Sequence, residues 1–454
     1  MKIFITLLFS CSLLWATDKP NILIILADDL GYADVGYHGL EEIPTPNIDR
    51  IANEGVQFSA GYSNGSICGP TRAALMSGVY QQRIGCEGIC GGRKLNEHVV
   101  VGMPREVKTL AQYFQEAGYA TGLFGKWHLG GERLFDKTLM PTSRGFDEFF
   151  GILEGASLYD DTVNRERKYI RQDTVIDYEG EYFTDAIGRE AVSFITRKGD
   201  KPFFLYLPFT AVHAPMQASE KYMQRFAHIA DPNRRVFAAM LSAMDDNIGR
   251  VFDALEHQGI LDNTLIVFWS DNGGKPDNNY SLNHPLKGQK TQFYEGGIRV
   301  PACVRWPKGQ IPAGKTLDQP VFLMDIFPSA LEAAQITVPK DIEAKTILPL
   351  MQGKTNQTPH PAMFWKRAGK MAVRMGDWKL SNAGGPSELF NLKQDISESR
   401  NIIDQHPDIA NKMNRLWLNW DKKNVPAYFG HDKALPIKVP LLHRKIGQKA
   451  KTLN

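Results

Sequence analysis

The sequence has little cysteine. Cys11, Cys68, Cys86, Cys90 and Cys303 are the only five in 454 residues, too few for a small disulfide-held scaffold. It has no long apolar run beyond its first residues, and its mean hydropathy of −0.30 excludes a polytopic membrane protein. It has no surplus of one charge. The 53 Lys and Arg stand against 50 Asp and Glu, for a net charge of +3, which argues against a dedicated nucleic-acid binder with its concentrated basic face. Internal repeats and low-complexity tracts are absent as well. What is present, 43% hydrophobic and 23% charged residues, is the composition of a globular protein. At roughly 150 residues per domain, the length suggests three domains, or two with one of them large.

Lys2, the apolar run Ile3 to Trp15 and the small Ala16 read as a secretory signal peptide over residues 1–16. The run is shorter than the ~20 residues a membrane-spanning helix needs. Lipoprotein attachment at Cys11 is the lesser alternative, because Leu13, Leu14 and Trp15 continue the apolar run beyond it. An exported chain, periplasmic or secreted, sits where disulfides form. Cys86 and Cys90 are spaced to close a small loop, and no neighbouring Cys or His completes a zinc set with them. At the other end, residues 431–454 carry six Lys and Arg against Asp432 alone. This reads as a solvated tail, with an arm on a polyanion as the sharper alternative.

Between these ends, apolar runs alternate with helical patterns. Asn21 to Leu26, Thr121 to Phe124, Pro202 to Leu207 and Leu265 to Trp269 suit strands buried on both faces of a parallel sheet. Ile48 to Glu54, Lys108 to Ala117, Asp185 to Thr196 and Phe237 to Gln258 have helical periodicity. The alternation predicts an α/β sandwich over residues 17–355. After about residue 355 come short strand-like pieces, 362–365, 371–374, 378–380 and 388–390, then an amphipathic pattern from His406 to Trp420. These predict a smaller C-terminal unit, residues 356–454, with an antiparallel sheet and a packing helix.

Polar residues follow the buried runs: Asp28 and Asp29, Lys126 and His128, His213, and Asp271 with Asn272. Ligands of open parallel sheets bind outside the carboxyl ends of the strands, so four runs deliver such residues to one edge. Three carboxylates and an amide suit a hard divalent cation, Ca²⁺ or Mg²⁺. Cys68 precedes Gly69-Pro70-Thr71-Arg72, and Pro70 and Gly78 suit the start and end of a helix. On the residues alone this is a nucleophilic cysteine with a depressed pKa at a helix N-terminus, or a buried structural one.

Cys-x-Pro-x-Arg over 68–72 with Leu75-x-Ser77-Gly78 resembles the signature of the type I sulfatases, members of the alkaline-phosphatase superfamily. Other landmarks of that family follow in order: Asn21 to Gly31, Gly125-Lys-Trp-His-Leu-Gly130, His213-Ala-Pro215, Asp271-Asn-Gly273, Lys290 ahead of Glu295-Gly-Gly297, Arg374-Met-Gly-Asp-Trp-Lys379 and Glu388-Leu-Phe-Asn391. Thr71 replaces the commoner Ser, and Lys287-Gly-Gln289 before Lys290 is a local departure. The resemblance implies a fold with a large, mostly parallel sheet between helices and a small C-terminal antiparallel sheet. It also implies a maturation enzyme that oxidises Cys68 to Cα-formylglycine. The hydrated formylglycine attacks sulfur beside a metal held by Asp28, Asp29, Cys68, Asp271 and Asn272. Arg72 steadies the formylglycine and the metal-ligand carboxylates, Lys126 and Lys290 bind sulfate, and His213 protonates the leaving oxygen. His128 deprotonates the second hydroxyl, expelling sulfate and restoring the aldehyde.

The resemblance points to sulfated carbohydrates or aryl sulfates as substrates. Specificity is expected in loops, namely 87–97 with Arg93 and Lys94, 160–172 with Arg165, Arg167, Lys168 and Arg171, and 277–287 with His284. The alternatives are a phosphonate monoester or phosphodiester hydrolase of the same superfamily and a non-catalytic binder of sulfated glycans.

Overall fold

The computed structural model describes residues 19–88, 102–131, 137–159, 169–176 and 180–427. The expected signal peptide, Cys11, Cys90, the basic tail and most of the 87–97 and 160–172 loops lie outside the described residues.

The main sheet is built around β1 (Asn21–Ala27), β2 (Ala120–Lys126), β3 (Glu148–Ile152), β4 (Phe203–Pro208), β5 (Thr264–Ser270) and β6 (Ala302–Arg305). Its order is Lys315–Leu317, Val56–Phe58, β6, β5, β1, β4, β2, β3, Tyr169–Arg171, Thr174–Ile176. The central strands β5, β1, β4, β2 and β3 run parallel, and β6 is antiparallel to β5. Both faces of the sheet are covered, which is why these strands read as continuous apolar runs rather than alternating ones. Ile22, Ile24 and Leu26 of β1 face one core, with α2 (Cys68–Ser77), α3 (Leu110–Glu116) and α6 (Ile326–Ala333). Leu23, Ile25 and Ala27 face the other, with α1 (Pro46–Asn53), α4 (Phe183–Arg197) and α5 (Pro232–His257).

Helix boundaries follow capping chemistry. Asp231 accepts from Asn233 N at 2.8 Å with Pro232 opening α5. Thr109 and Gln112 form a capping box at α3. Gly78 closes α2 in a left-handed conformation, φ +69°.

The C-terminal sheet is a four-stranded antiparallel meander, β7 (Met363–Arg367), β8 (Lys370–Met375), β9 (Trp378–Ser381) and β10 (Glu388–Asn391), followed by α7 (Pro407–Asp421). On one face Phe364 stacks on Trp420 of α7. On the other, Met363 and Trp365 pack with Tyr62 and Phe322 of the larger unit. No helix among the described residues is long and apolar enough to cross a membrane.

Candidate active site

The carboxyl ends of β1, β2, β4 and β5 meet at one edge, as their parallel pairing requires. β1 delivers Asp28 and Asp29, β2 ends in Lys126 and continues to His128, the segment after β4 brings His213, and β5 brings Asp271 and Asn272. Gly125 makes the close approach possible. It sits at φ +127°, and a Cβ there would lie 2.0 Å from the Pro208 carbonyl oxygen. Asp29 and His128 are themselves held at positive φ, 62° and 56°, strain of the kind that gathers at functional sites. Asn279 fixes the Asp29 turn from beneath, donating to Asp29 O and Val212 O at 3.0 Å each.

Cys68 is the first residue of α2 and is buried against this edge. Thr71 holds the approach to it, because its hydroxyl accepts from Gly65 N at 3.0 Å and donates back to Gly65 O or Ile67 O. The hydroxyl, common to Thr and Ser, does this, and the extra methyl is buried. One turn on, the fully buried Arg72 donates through Nε and Nη2 to Asp271 Oδ2 at 2.9 and 2.7 Å, and through Nη1 to Lys126 O at 2.8 Å.

Two ammonium groups bracket the acidic pair: Lys126 Nζ lies 2.6 Å from Asp28 Oδ2 and Lys290 Nζ 2.7 Å from Asp29 Oδ2. The backbone on either side of Lys290 is pinned, since Lys290 N donates to Gly274 O at 3.0 Å and Thr291 N to Ser66 O at 2.8 Å. His213 Nε2 is 3.5 Å from Asp29 Oδ2, while its Nδ1 hydrogen-bonds the Ala214 carbonyl and is therefore the protonated nitrogen. Tyr159 OH donates to His213 O at 2.8 Å. His128 is buried and its Nδ1 has no hydrogen-bond partner among the described residues.

Ligand atoms of Asp28, Asp29, Cys68 and His213 lie within 4.8 Å of one another. Asp28 Oδ1 and Asn272 Oδ1 are buried acceptors with no hydrogen-bond partner among the described residues, which is costly unless something positive meets them. Asp29 Oδ1 accepts from Asn272 Nδ2 at 2.7 Å, which aligns the amide. These oxygens fit a hard divalent cation. Asp271 is fully buried beside them, with Oδ2 taken by Arg72 and Oδ1 accepting from Asp29 N at 3.2 Å.

The electrostatics separate the groups. Burial raises the Asp28 pKa, but Lys126, His213, Arg72 and Lys290 outweigh it and hold the carboxylate well below its usual range. Burial, with Asp28 and Asp29 adding to it against Arg72 and Lys126, pushes Asp271 up to about 7. Burial and then the charges of Lys126 and Arg72 push His128 well below the usual imidazole value. Burial likewise lowers His213, against the pull of Asp29 and Asp28. At Cys68 the expectation of a depressed pKa is reversed. Burial pushes the thiol up to about 12, with Asp28 and Asp271 adding to it and Lys126 and Lys290 opposing. The helix N-terminus is outweighed by removal from water beside carboxylates, so the unmodified side chain is a thiol rather than a nucleophilic thiolate.

The residues read from the sequence as catalytic or metal-binding groups, Asp28, Asp29, Cys68, Arg72, Lys126, His128, His213, Asp271, Asn272 and Lys290, lie together here, whereas Arg171 of the 160–172 loop is paired with Glu190 at 2.7 Å. The 277–287 segment differs from its expected role as a specificity loop. Asn279, Ser281 and Asn283 are buried supports, and exposure is confined to Asp277 and Asn278 at its start and to His284 and Pro285. Sequence reasoning also missed Gly155, which faces the His128 ring, and Tyr159. Neither carries a local signal, because each acts through residues distant in the chain.

Residues 20–336 match the family described as Sulfatase, and residues 288–423 match N-sulphoglucosamine sulphohydrolase, C-terminal. The chain is 31% identical over 480 residues to arylsulfatase J of Mus musculus, covering 91% of this chain and 77% of the relative. It is 33% identical over 404 residues to N-acetylgalactosamine-6-sulfatase of Homo sapiens, covering 84% and 75%. Among solved structures, Ps i-CgsB in complex with k-i-k-neocarrahexaose aligns with a TM-score of 0.84 at 35% identity, covering 91% of this chain and 95% of that one.

Proposed function

Because the chain belongs to the sulfatase family and is a sulfuric ester hydrolase, we propose that it is an exported enzyme that removes sulfate esters from a sulfated glycan, with Cys68 matured to formylglycine beside a Ca²⁺ or Mg²⁺ ion. The observation that carries this reading is the meeting of Cys68, two ammonium groups, two imidazoles and buried acceptors without partners at one sheet edge. The resemblance to an N-acetylgalactosamine-6-sulfatase and to a protein solved with a neocarrahexaose supports a sugar sulfate as substrate.

A cation would be held by Asp28, Asp29, Asp271 and Asn272 beside position 68 and would supply the positive charge that lowers the pKa of a hydroxyl on the hydrated formylglycine, the nucleophile toward sulfur. The remaining work belongs to this chain's own side chains. Lys126 and Lys290 bind the sulfate oxygens and neutralise charge that develops in transfer, usually the largest catalytic effect. Arg72, tied to Asp271, positions the first turn of α2 and the carboxylate together. His213, in its doubly protonated form beside the Asp29 carboxylate, gives the Nε2 proton to the leaving oxygen and keeps the Nδ1 proton on Ala214 O. His128, neutral because burial and two cations disfavour its charged form, accepts a proton. Acid–base help of this kind contributes roughly 10²–10⁴-fold.

Peptide mass spectrometry on protein from a host that has a maturation enzyme tests this. The Cys68 peptide should be lighter by about 18 Da than the cysteine form, and Cys68→Ser should fold but lose turnover in a host that does not oxidise serine. An unmodified, active Cys68 protein would refute the reading. Turnover of an aryl phosphodiester above that of the aryl sulfate would favour the phosphodiester hydrolase instead.

A further inference from the structure

The chain that leaves β3 touches both imidazoles of the site. At its start, Trp127 N donates to Ile152 O at 2.9 Å and His128 N to Leu153 O at 3.1 Å. Gly155 follows, where an added Cβ would lie 2.8 Å from His128 Nε2. A few residues on, the phenol of Tyr159 reaches the segment after β4. Its hydroxyl donates to His213 O at 2.8 Å and to Thr210 O. A phenol has one proton, so the two carbonyls share it in a three-centre bond.

Residues 210–213 form the turn that carries His213, closed by His213 N donating to Thr210 O at 2.9 Å. One side of the turn is bonded to the end of β1 and to Asn279. Val212 N donates to Asp28 O at 2.9 Å, Asp28 N to Ala211 O at 3.0 Å, and Asn279 Nδ2 to Val212 O at 3.0 Å. These bonds fix residues 211 and 212, just ahead of the histidine. Tyr159 grips the two carbonyls that bracket them. The His213 Cα is therefore tied on both sides, at its N–H by Thr210 O and at its carbonyl by the phenol. With Nδ1 on Ala214 O, this sets the direction of Nε2, which lies 3.5 Å from Asp29 Oδ2.

Tyr159 is itself immobile. It is 1% exposed. Its N donates to Gln217 Oε1 and its O accepts from Phe183 N, each at 2.9 Å. Its ring stacks on Tyr182 with centroids 5.9 Å apart. A hydroxyl buried in an aromatic layer is costly unless it is hydrogen-bonded, and this one gives its proton to the backbone around a reacting residue.

We propose that Tyr159 is a positioning residue for proton transfer to the leaving oxygen: its phenol fixes the backbone of His213, and the 153–159 segment thereby holds His213 and His128 in a set relation to each other. This rests on the reading of His213 as the acid. Without the phenol, His213 O loses a donor and the turn can shift, so that Nε2 no longer meets the leaving oxygen. The groups that bind sulfate stand on other elements and keep their places.

Matured full-length protein hydrolysing aryl sulfates, from 4-nitrophenyl to 4-methoxyphenyl sulfate, tests the proposal. Tyr159→Phe keeps the ring and its stacking. Tyr182→Phe is the matched control, since it removes a hydroxyl from the same layer, one that donates to Gln217 O at 2.9 Å. In Tyr159→Phe the loss of kcat/KM should be about tenfold greater for 4-methoxyphenyl than for 4-nitrophenyl sulfate, because the poorer leaving group needs more proton transfer. Tyr182→Phe should keep the parental ratio. In a His213→Ala background, Tyr159→Phe should change that ratio by less than about twofold, because both substitutions act on one proton transfer. Independently of turnover, the ring nitrogen NMR shifts of His213 are assigned by their loss in His213→Ala and read above the imidazole titration range. They should show the Nδ1–H form in the parent and a mixture of tautomers in Tyr159→Phe. A parental ratio in Tyr159→Phe, the same loss pattern in Tyr182→Phe, or unmoved ring shifts would overturn the proposal. A parental ratio in His213→Ala, or no aryl sulfate turnover by the matured parent, would count against the reading of the site instead, and the ring shifts would still decide whether Tyr159 sets the imidazole.

Discussion

Gly155→Ala offers a test of His128 that leaves every reacting group chemically intact. An added Cβ at Gly155 would lie 2.8 Å from His128 Nε2 and 2.9 Å from Cε1, where ordinary contact begins at 3.4 Å. The ring or the loop must therefore give by about 0.6 Å, the gap between those separations. The His128 backbone has little room to follow, since its N donates to Leu153 O at 3.1 Å and the flanking Trp127 and Leu129 are buried. Gly155 has no positive φ, so alanine adds no backbone strain and the imidazole takes the displacement. A 1 Å misplacement can cost about 10²-fold in rate, so kcat should drop roughly 10- to 100-fold. Overpacking of this kind costs typically 1–3 kcal/mol, and the protein should remain folded at assay temperature. The assay is steady-state hydrolysis of an aryl sulfate by matured protein, with melting curves alongside. Gly385→Ala serves as the control, because the nearest atom to a Cβ there is Asn382 O at 3.9 Å. A folded Gly155→Ala protein with parental kcat would refute the placement of His128 in the proton path.

The central strands were legible in the sequence because burial on both faces leaves runs such as Ile22 to Leu26 with no polar residue. The polar residues just beyond them were legible because a parallel sheet sends its strand ends to one edge. The C-terminal meander also followed from its short apolar pieces and turns. Other features depend on partners that only folding supplies. The helix start at Cys68 was readable, but the sign of its pKa was not, because the carboxylates and the loss of water that raise it come from strands far away in the chain. The 277–287 segment has the polar, Asn-rich texture of a surface loop, yet Asn279, Ser281 and Asn283 spend their polarity on buried hydrogen bonds to Asp29, Asp34 and Gly274. Lys379 looked like part of a C-terminal motif. In the structure it is fully buried between Glu295 and Glu398, at 2.7 and 2.9 Å. It thereby ties the small sheet to the chain just after Lys290.

Two further outcomes are expected. Treatment with a chelator should abolish hydrolysis, and Ca²⁺ or Mg²⁺ should restore it, because the buried oxygens of Asp28 and Asn272 are hard donors; a strict requirement for Zn²⁺ would count against the site. The second outcome concerns the Lys379 cluster, where one ammonium serves two carboxylates. Burial works against ionisation of Glu295, but Lys379, Arg299 and Arg374 prevail and hold it near 2. Burial, with the charge of Glu295 adding to it against Lys379, pushes Glu398 up to about 7. The cluster thus carries one proton that the unfolded chain releases near the ordinary glutamate value of 4.5. Below that value Glu398 is protonated in both states, and its contribution to stability is fully present. As pH rises, the unfolded chain loses the proton first, so stability falls until the folded group titrates near 7, by up to about 3 kcal/mol. Glu398→Gln mimics the protonated form and can still accept from Glu295 N, which now donates to Glu398 Oε2. Melting temperatures measured from pH 4.5 to 7.5 should decline more steeply in the parent than in Glu398→Gln, with the two differing most at the upper end. Parallel profiles would mean that Glu398 is ionised in the folded protein throughout, and that Lys379 balances both carboxylates.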